Sequence, residues 1–346
     1  TNGTVYGLVA LGYTLVYGIL QLINFAHGDV FALSGLFAST VIVSLLGLDE
    51  SSGVLAIVGG MLATLVIVMA LFSGVNVLIE LVAYRRLRHA PRLAPLITAV
   101  GMSFIVQNVA LAIYDVNYRD VPNFIPRTDV FSIGGVHYTW NKLAVLIITI
   151  PVLVLLTWFV QRTRQGKAMR AVAQDPEASA IMGINVNRTI SVTFAIAGAL
   201  AGSAGIVYLL QFNMRFDTGF ELGLIAFTAA VLGGIGNLSG AVLGAMLIGF
   251  IQAFNEGLAW HAPGSDWTRS IVFGLLIGFL TAQLFIGIVS LLGDFDGPEG
   301  KRQLNAIRLA LTLIFGYMGP VFILRTKDDI RFIVPYVEFQ KVAKGP

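Results

Sequence analysis

Residues 53–79, GVLAIVGGMLATLVIVMALFSGVNVLI, contain no charged side chain. A helix needs about 20 consecutive apolar residues to cross the roughly 30 Å hydrocarbon core of a bilayer, and this run exceeds that length. Further uncharged runs recur along the chain, at residues 3–20, 30–47, 93–114, 143–160, 189–214, 222–255 and 270–293. We therefore predict an all-α polytopic membrane protein with about eight transmembrane helices.

The overall composition agrees with a membrane protein and excludes several functions. Hydrophobic residues make up 56% and charged residues 12% of the chain, whereas soluble domains carry about 25% charged residues. The absence of Cys excludes disulfides and thiolate chemistry. Neither a His-Glu-x-x-His zinc motif nor a phosphate-binding loop occurs. We predict no catalytic residue, metal site or cofactor, and we expect any ATP hydrolysis to belong to separate subunits.

The basic residues predict which connections face the cytoplasm. They concentrate in the segments 85–92 and 162–188, and cytoplasmic loops of membrane proteins carry an excess of Lys and Arg. The connection between them, 116–142, has mixed charge and contains turn signals such as Gly134-Gly135, so we predict an external loop with a short hairpin. A net charge of +3 then reflects topology, and no nucleic-acid partner is expected.

The run 222–255 is too long for a single crossing. One helix over it would measure about 51 Å, against a hydrocarbon core of roughly 30 Å. The stretch from Gly233 to Gly240, GGIGNLSG, supplies a turn in its middle. We predict a Gly-rich re-entrant or short-helix hairpin.

Two polar interruptions in opposite halves of the chain predict a solute path. The first, LQLINFAHGD at residues 20–29, places polar residues between two apolar runs, and the second is the Gly-rich turn. Paired interrupted helices often flank a transporter's binding site. An equally weighted alternative is a tight cytoplasmic turn in which Asn24 caps the next helix and Asp29 complements its dipole. The predicted path residues are Asn24, His27, Asp29, Gly233, Gly234, Asn237 and Ser239.

The basic segment 161–188 predicts a docking helix for a soluble partner. Asp175 is a good N-cap, Pro176 suits the first helical position and Gly183 can end a helix, so we predict one short helix at 176–182. Its apolar side could dock in a groove, with Arg170 and Arg188 as basic flanks; a connector touching lipid headgroups is the alternative. The predicted coupling residues are Arg170, Asp175, Pro176, Glu177, Ala178, Ile181, Met182 and Gly183.

The C-terminal part follows a different pattern. We divide the chain into a transmembrane domain at 1–292, which includes the cytoplasmic coupling segment 166–185, and an extension at 293–346. A short apolar run at 309–324 precedes a basic tail, which a full crossing would place outside, against the usual charge bias. We therefore expect this run to be re-entrant or interfacial.

Three sequence blocks resemble the LivH-type permeases of branched-chain amino acid ABC importers, over residues 1 to about 280. They are LGYTLVYGIL at 11–20 leading into INFAHGD at 23–29, GKAMRAVAQD at 166–175, and VLGGIGNLSGA at 231–241. Family members usually end soon after the last crossing, so residues 281–346 lie outside this resemblance.

The resemblance implies an ABC importer permease fold in the bacterial inner membrane. It also implies pairing with a second, related permease, two cytoplasmic ATPases and a periplasmic solute-binding protein, with the segment 166–185 contacting an ATPase. The family includes urea and short-amide relatives, and the Asn-Phe-Ala-His-Gly-Asp form looks more like the amino acid branch.

Two other functions remain open from the residues alone. An ATP-independent channel or facilitator could also use paired polar breaks, but aquaporin-like pores carry Asn-Pro-Ala twice. The corresponding tripeptides here are Asn24-Phe25-Ala26 and Asn237-Leu238-Ser239. A pore has no need for a capped docking helix. A scaffold subunit without transport of its own is the remaining alternative.

Overall fold

The computed structural model describes residues 2–88, 90–91, 93–122, 128–133, 136–257, 265–292, 321–326 and 329–335. Helices dominate these residues. In chain order they are α1 (Asn2–Leu20), α2 (Ala26–Thr40), α3 (Val54–Ile79), α4 (Leu93–Tyr114), α5 (Trp140–Arg162), α6 (Arg164–Gln174), α7 (Pro176–Ile181), α8 (Val186–Leu209), α9 (Thr218–Leu232), α10 (Leu238–Gly257) and α11 (Ser265–Leu292).

Seven helices in the described part of the chain are long and apolar enough to cross a membrane: α1, α2, α3, α4, α5, α8 and α10. A π-helical turn, Val41–Leu45, extends α2, and the turns Glu80–Tyr84 and Arg85–Leu87 extend α3. The all-α polytopic prediction is confirmed. The helix α9 has only 15 residues, so the number of crossings stays a prediction.

The predicted break in the run 222–255 separates α9 from α10. The helix α1 lies antiparallel to α10, because Gly18 contacts Gly236 before α10 while Gly3 packs against Gly249 within it. A Cβ on Gly3 would lie 2.8 Å from the carbonyl oxygen of Ala245. Small residues allow such close approach, which is a main source of helix association in lipid.

The helices α3 and α8 are also antiparallel, and polar side chains join them within the bundle. Ser73 donates to the carbonyl oxygen of Ala195 at 2.8 Å, and Asn76 donates to that of Phe194 at 2.7 Å. The end of α3 therefore lies beside the start of α8, next to α6 and α7. We call this end of the bundle the coupling end and the opposite end the far end.

The described residues also form two β-hairpins. The strands β1 (Asp129–Ile133) and β2 (Val136–Thr139) pair antiparallel, which confirms the predicted hairpin in the loop 116–142. The same loop joins the connection after α8 through a bridge between Arg119 and Met214. The side of the membrane on which this loop lies stays a prediction.

The second hairpin belongs to the C-terminal extension. It consists of β3 (Val321–Thr326) and β4 (Asp329–Pro335). The predicted re-entrant or interfacial segment at 309–324 lies outside the described residues as far as residue 320, and its last residues belong to β3. The division of the chain at residue 292 stays a prediction.

Candidate functional site

The first polar break returns the chain into the bundle. Residues 21–24 form no helix, and Gln21 adopts a positive φ of 53° that reverses the chain after α1. The next helix then begins beside the middle of α1, because the His27 ring packs directly on the backbone of Gly12 and 4.9 Å from the ring of Tyr13. The start of α2 thus lies about half-way along α1.

This geometry corrects the alternative of a turn capped by Asn24. The N-cap residue of α2 is Phe25, and no side chain caps the helix. The Asn24 side chain instead accepts a hydrogen bond from the hydroxyl of Tyr84 at 2.9 Å. This hydrogen bond connects the first break to the end of α3.

The three polar residues predicted in this break contact three different helices, and their place on a solute path stays a prediction. Asn24, His27 and Asp29 are all buried. Asn24 contacts Tyr84, His27 contacts α1, and Asp29 accepts a hydrogen bond from Ser103 of α4. Together they fix the start of α2 against three neighbouring helices.

The second break is a tight glycine turn between α9 and α10. Gly234 and Gly236 have φ values of 86° and 92°, a left-handed region that favours glycine. The chain crosses itself closely here, since a Cβ on Gly233 would clash with the carbonyl oxygen of Gly240. Asn237 is exposed, and its side-chain oxygen accepts from the Gly240 amide at 3.1 Å, so it caps α10. Ser239 is also exposed.

The structure brings the two breaks together at the coupling end. A Cβ on Gly18, at the end of α1, would lie 3.4 Å from the Cα of Gly236. A cleft of about 10 Å³ separates the breaks, and its volume is that of roughly one water molecule. This cleft is too small to hold an amino acid. The cleft is lined by Tyr13, Tyr17, Ile23, Phe227, Ala230 and Ile235.

The predicted docking helix is present with its predicted caps. The Asp175 carboxylate accepts from the amides of Glu177 and Ala178, each at 2.9 Å, and Pro176 opens α7. The chain leaves the helix at Gly183, whose φ is 83°. Ile181 and Met182 are 85% and 81% exposed, so α7 presents apolar side chains outward from the bundle. Ala178 is exposed as well.

The prediction of a single helix in this segment is wrong, because α6 precedes α7. Thr163 caps α6 by accepting from the Gly166 amide at 3.0 Å. Met169 and Val172, three residues apart, bury one face of it. The helix packs against α1, α5 and α8, so it joins α7 to the membrane part.

The coupling role of Arg170 stays a prediction, and its exposed side chain also makes contacts within the chain. Its guanidinium donates to the carbonyl oxygens of Val160 and Gln161 at the end of α5. A cation is favourable there because the last carbonyls of a helix lack partners and carry partial negative charge. Arg170 is therefore a helix cap in this structure.

The coupling end contains a buried charge cluster that was not predicted from the sequence. Glu80 is fully buried and accepts from Arg85 at 3.2 and 3.0 Å, from Ser191 at 2.9 Å and from Arg88. Arg88 also donates to Asn187 at 2.6 Å. The cluster ties the end of α3 to the start of α8. The sequence signal for this cluster is a single Glu that directly follows an uncharged run and shortly precedes three Arg residues.

The cluster lies between the coupling segment and the first break. Asn185, which follows α7, caps α8 by accepting from the Arg188 amide at 2.9 Å. Four residues beyond Glu80, Tyr84 packs on Phe194 of α8 with ring centroids 5.5 Å apart and donates to Asn24. A continuous set of contacts thus leads from α7 through the start of α8 and the end of α3 to the start of α2.

Comparison with known proteins gives consistent matches over most of the chain. The family described as "Branched-chain amino acid transport system / permease component" matches residues 1–281. The high-affinity branched-chain amino acid transport system permease protein BraD of Pseudomonas aeruginosa is 38% identical over 283 residues, covering 80% of this chain and 89% of the relative. The corresponding LivH protein of Escherichia coli K12 is 34% identical over 285 residues, with the same coverage. A probable LivH permease of Methanocaldococcus jannaschii is 26% identical over 306 residues.

Proposed function

Because this chain belongs to the family of branched-chain amino acid transport system permease components, we propose that it is the membrane-spanning subunit of an ATP-driven importer for branched-chain amino acids. It works in the bacterial inner membrane, beside a second, related permease. Two cytoplasmic ATPases supply the energy, and a periplasmic binding protein delivers the solute. The relatives named for this solute class cover most of the chain, which favours it over urea or short amides.

The observation that carries the ATP-driven mechanism is the exposed helix α7. The sequence contains no phosphate-binding loop, so the energy of ATP must reach this subunit through contact with another protein. The helix α7 is fixed at both ends and held on the membrane part by α6, while Ile181 and Met182 remain exposed. A rigid helix with an apolar outer face is suited to a groove on an ATPase.

The closed cleft between the two breaks supports alternating access over an open channel. With a volume of about 10 Å³, the cleft admits no amino acid. A facilitator would need a passage that is open at rest, whereas an ATP-driven permease opens its passage when the ATPases move α6 and α7. The helix α6 packs on α1, which lines this cleft through Tyr13 and Tyr17, so we expect a displacement of α6 to reach the cleft through α1.

Reconstitution tests this function. The chain would be placed in proteoliposomes with a second permease, ATPases and a binding protein encoded beside it. We expect leucine-loaded binding protein to stimulate both ATP hydrolysis and leucine uptake, and urea to stimulate neither. Leucine uptake without ATP would establish a facilitator, and stimulation by urea alone would establish the amide branch.

The two breaks can be tested as elements of the solute path. We expect Asn24→Leu to impair transport without loss of assembly, because it leaves the buried Tyr84 hydroxyl without its acceptor, at a cost of about 1–3 kcal/mol. Asn237→Leu should also impair transport, since it removes the α10 cap, worth about 1 kcal/mol. Initial uptake rates in vesicles, normalised to membrane-inserted protein, provide the measurement.

Asn237→Ser is the matched control, because serine caps helices as well as asparagine does. Normal uptake in Asn237→Ser beside slow uptake in Asn237→Leu would identify the cap as the functional element. Slow uptake in both variants would assign the amide group itself to the path. Normal uptake in both Leu variants would show that transport needs neither the contact of Asn24 with Tyr84 nor the Asn237 cap, and would contradict the prediction.

A further inference from the structure

A cavity of about 180 Å³ lies at the far end of the bundle. Five helices form it: the starts of α1, α9 and α11 and the ends of α8 and α10. Its volume is below the roughly 300–1,000 Å³ of sites for drug-sized ligands, so it suits a small solute. It is separate from the closed cleft at the coupling end.

The walls of this far cavity combine apolar side chains with charges of both signs. Val5 of α1 and Leu222 and Ile225 of α9 supply aliphatic surface. Glu221 and Glu256 supply carboxylates, and Arg269 supplies a guanidinium. An aliphatic wall beside paired opposite charges matches a free amino acid with an apolar side chain.

The charged groups differ in how firmly they are held. Tyr6 donates to Gln252 at 2.7 Å, and Gln252 donates to Glu256 at 2.9 Å, so this wall is preorganised. Arg269 pairs with Glu221 at 2.5 Å, but these side chains are 63% and 44% exposed. Exposed ion pairs contribute little to stability. A zwitterion can therefore replace this pair without a large loss.

We propose that the far cavity is an outer binding site for a free aliphatic amino acid. Arg269 holds its carboxylate, Glu221 and Glu256 hold its ammonium group, and Val5, Leu222 and Ile225 contact its side chain. The choice of an aliphatic amino acid as the ligand rests on the proposed function. The presence of a binding site in the far cavity does not depend on it. The site receives the solute before the closed cleft at the other end of the bundle opens.

Protection of a single cysteine tests this site, because the native chain has no Cys. Leu222→Cys would be prepared in the full chain, in nanodiscs of phosphatidylglycerol, and labelled with a maleimide. We expect L-leucine at about four times its Kd to slow labelling about fivefold, by mass action. Leucinamide lacks the carboxylate and 4-methylpentanoate lacks the ammonium group, and neither should protect.

Two further variants control for nonspecific effects. Thr128→Cys lies in the exposed loop before β1, and its labelling rate should be the same with and without leucine. Adding Arg269→Gln to Leu222→Cys should abolish the protection by leucine. Because Arg269 is largely exposed, this variant should elute as the parent does in size-exclusion chromatography.

Three results would overturn the site. They are unchanged labelling of Leu222→Cys in leucine, equal protection by 4-methylpentanoate, and protection that survives Arg269→Gln. Slow labelling without leucine in phosphatidylethanolamine nanodiscs would instead assign the cavity to a lipid headgroup. The labelling experiment tests the binding site, and uptake by the reconstituted complex tests the proposed function. The two proposals can therefore fail independently.

Discussion

Ile181→Asp should abolish ATP-driven uptake while the chain still inserts into the membrane. The Ile181 side chain is 85% exposed and makes α7 apolar on its outer side. Docking in an ATPase groove would bury an unpaired carboxylate in this variant. Loss of an interface anchor costs about 2–4 kcal/mol, which corresponds to an affinity lower by a factor of roughly 30 to 1,000. Co-purification with the ATPases and uptake in vesicles provide the measurements.

ATP-driven uptake should be lost when a charge is placed on the apolar outer side of α7, and not after every substitution in this helix. Met182→Asp should resemble Ile181→Asp, since Met182 is also strongly exposed. Ala180→Ser is the matched control, because it changes an exposed residue of the same helix that is not among the predicted coupling residues. Normal ATPase yield and normal uptake in both Asp variants would place the docking site elsewhere on the chain.

Glu80→Ala should destabilise the coupling end more than any other single change in the charge cluster. Glu80 is fully buried, and its removal leaves Arg88, whose side chain is 12% exposed, without a counter-charge. Removing one partner from a buried ion pair costs about 3–5 kcal/mol. We expect a lower midpoint of thermal unfolding in detergent and a loss of leucine-stimulated ATP hydrolysis in the reconstituted complex.

Arg85→Gln is the appropriate comparison, since the Arg85 side chain is 36% exposed and contributes less. The double variant Glu80→Leu with Arg88→Met should recover much of the lost stability, because apolar replacement of a buried ion pair is often neutral. If this variant regains stability but not stimulated hydrolysis, the cluster transmits motion. An unfolding midpoint for Glu80→Ala equal to that of the parent would contradict a structural role for the cluster.

Local signals in the sequence were sufficient to predict several elements. Apolar runs predicted the membrane helices, and the glycine turn predicted the division between α9 and α10. The start and end of α7 followed from Asp175, Pro176 and Gly183, because capping depends on groups within a few residues of each other. The resemblance located the same segment by an independent route.

Contacts between distant residues could not be predicted in this way. His27 and Asp29 are two residues apart on a helix, so they face different neighbours, but only the fold identifies those neighbours. Glu80 and Ser191 meet across a large sequence separation. The helix α6 was missed because glycine is a poor helix former. At Gly166 the absent Cβ instead allows contact with the carbonyl oxygen of Val160.

The position of α1 at the centre of the bundle also sets the order of assembly. It packs against α8, α9 and α10, of which the last begins at Leu238. At about 5–20 residues per second, roughly 10 to 40 s of protein synthesis separate the end of α1 from the start of α10. The helix α1 is therefore in the membrane before α10 is synthesised. A nascent chain released before α10 lacks one of these three partners of α1, and quality-control proteases would meet α1 with that side uncovered.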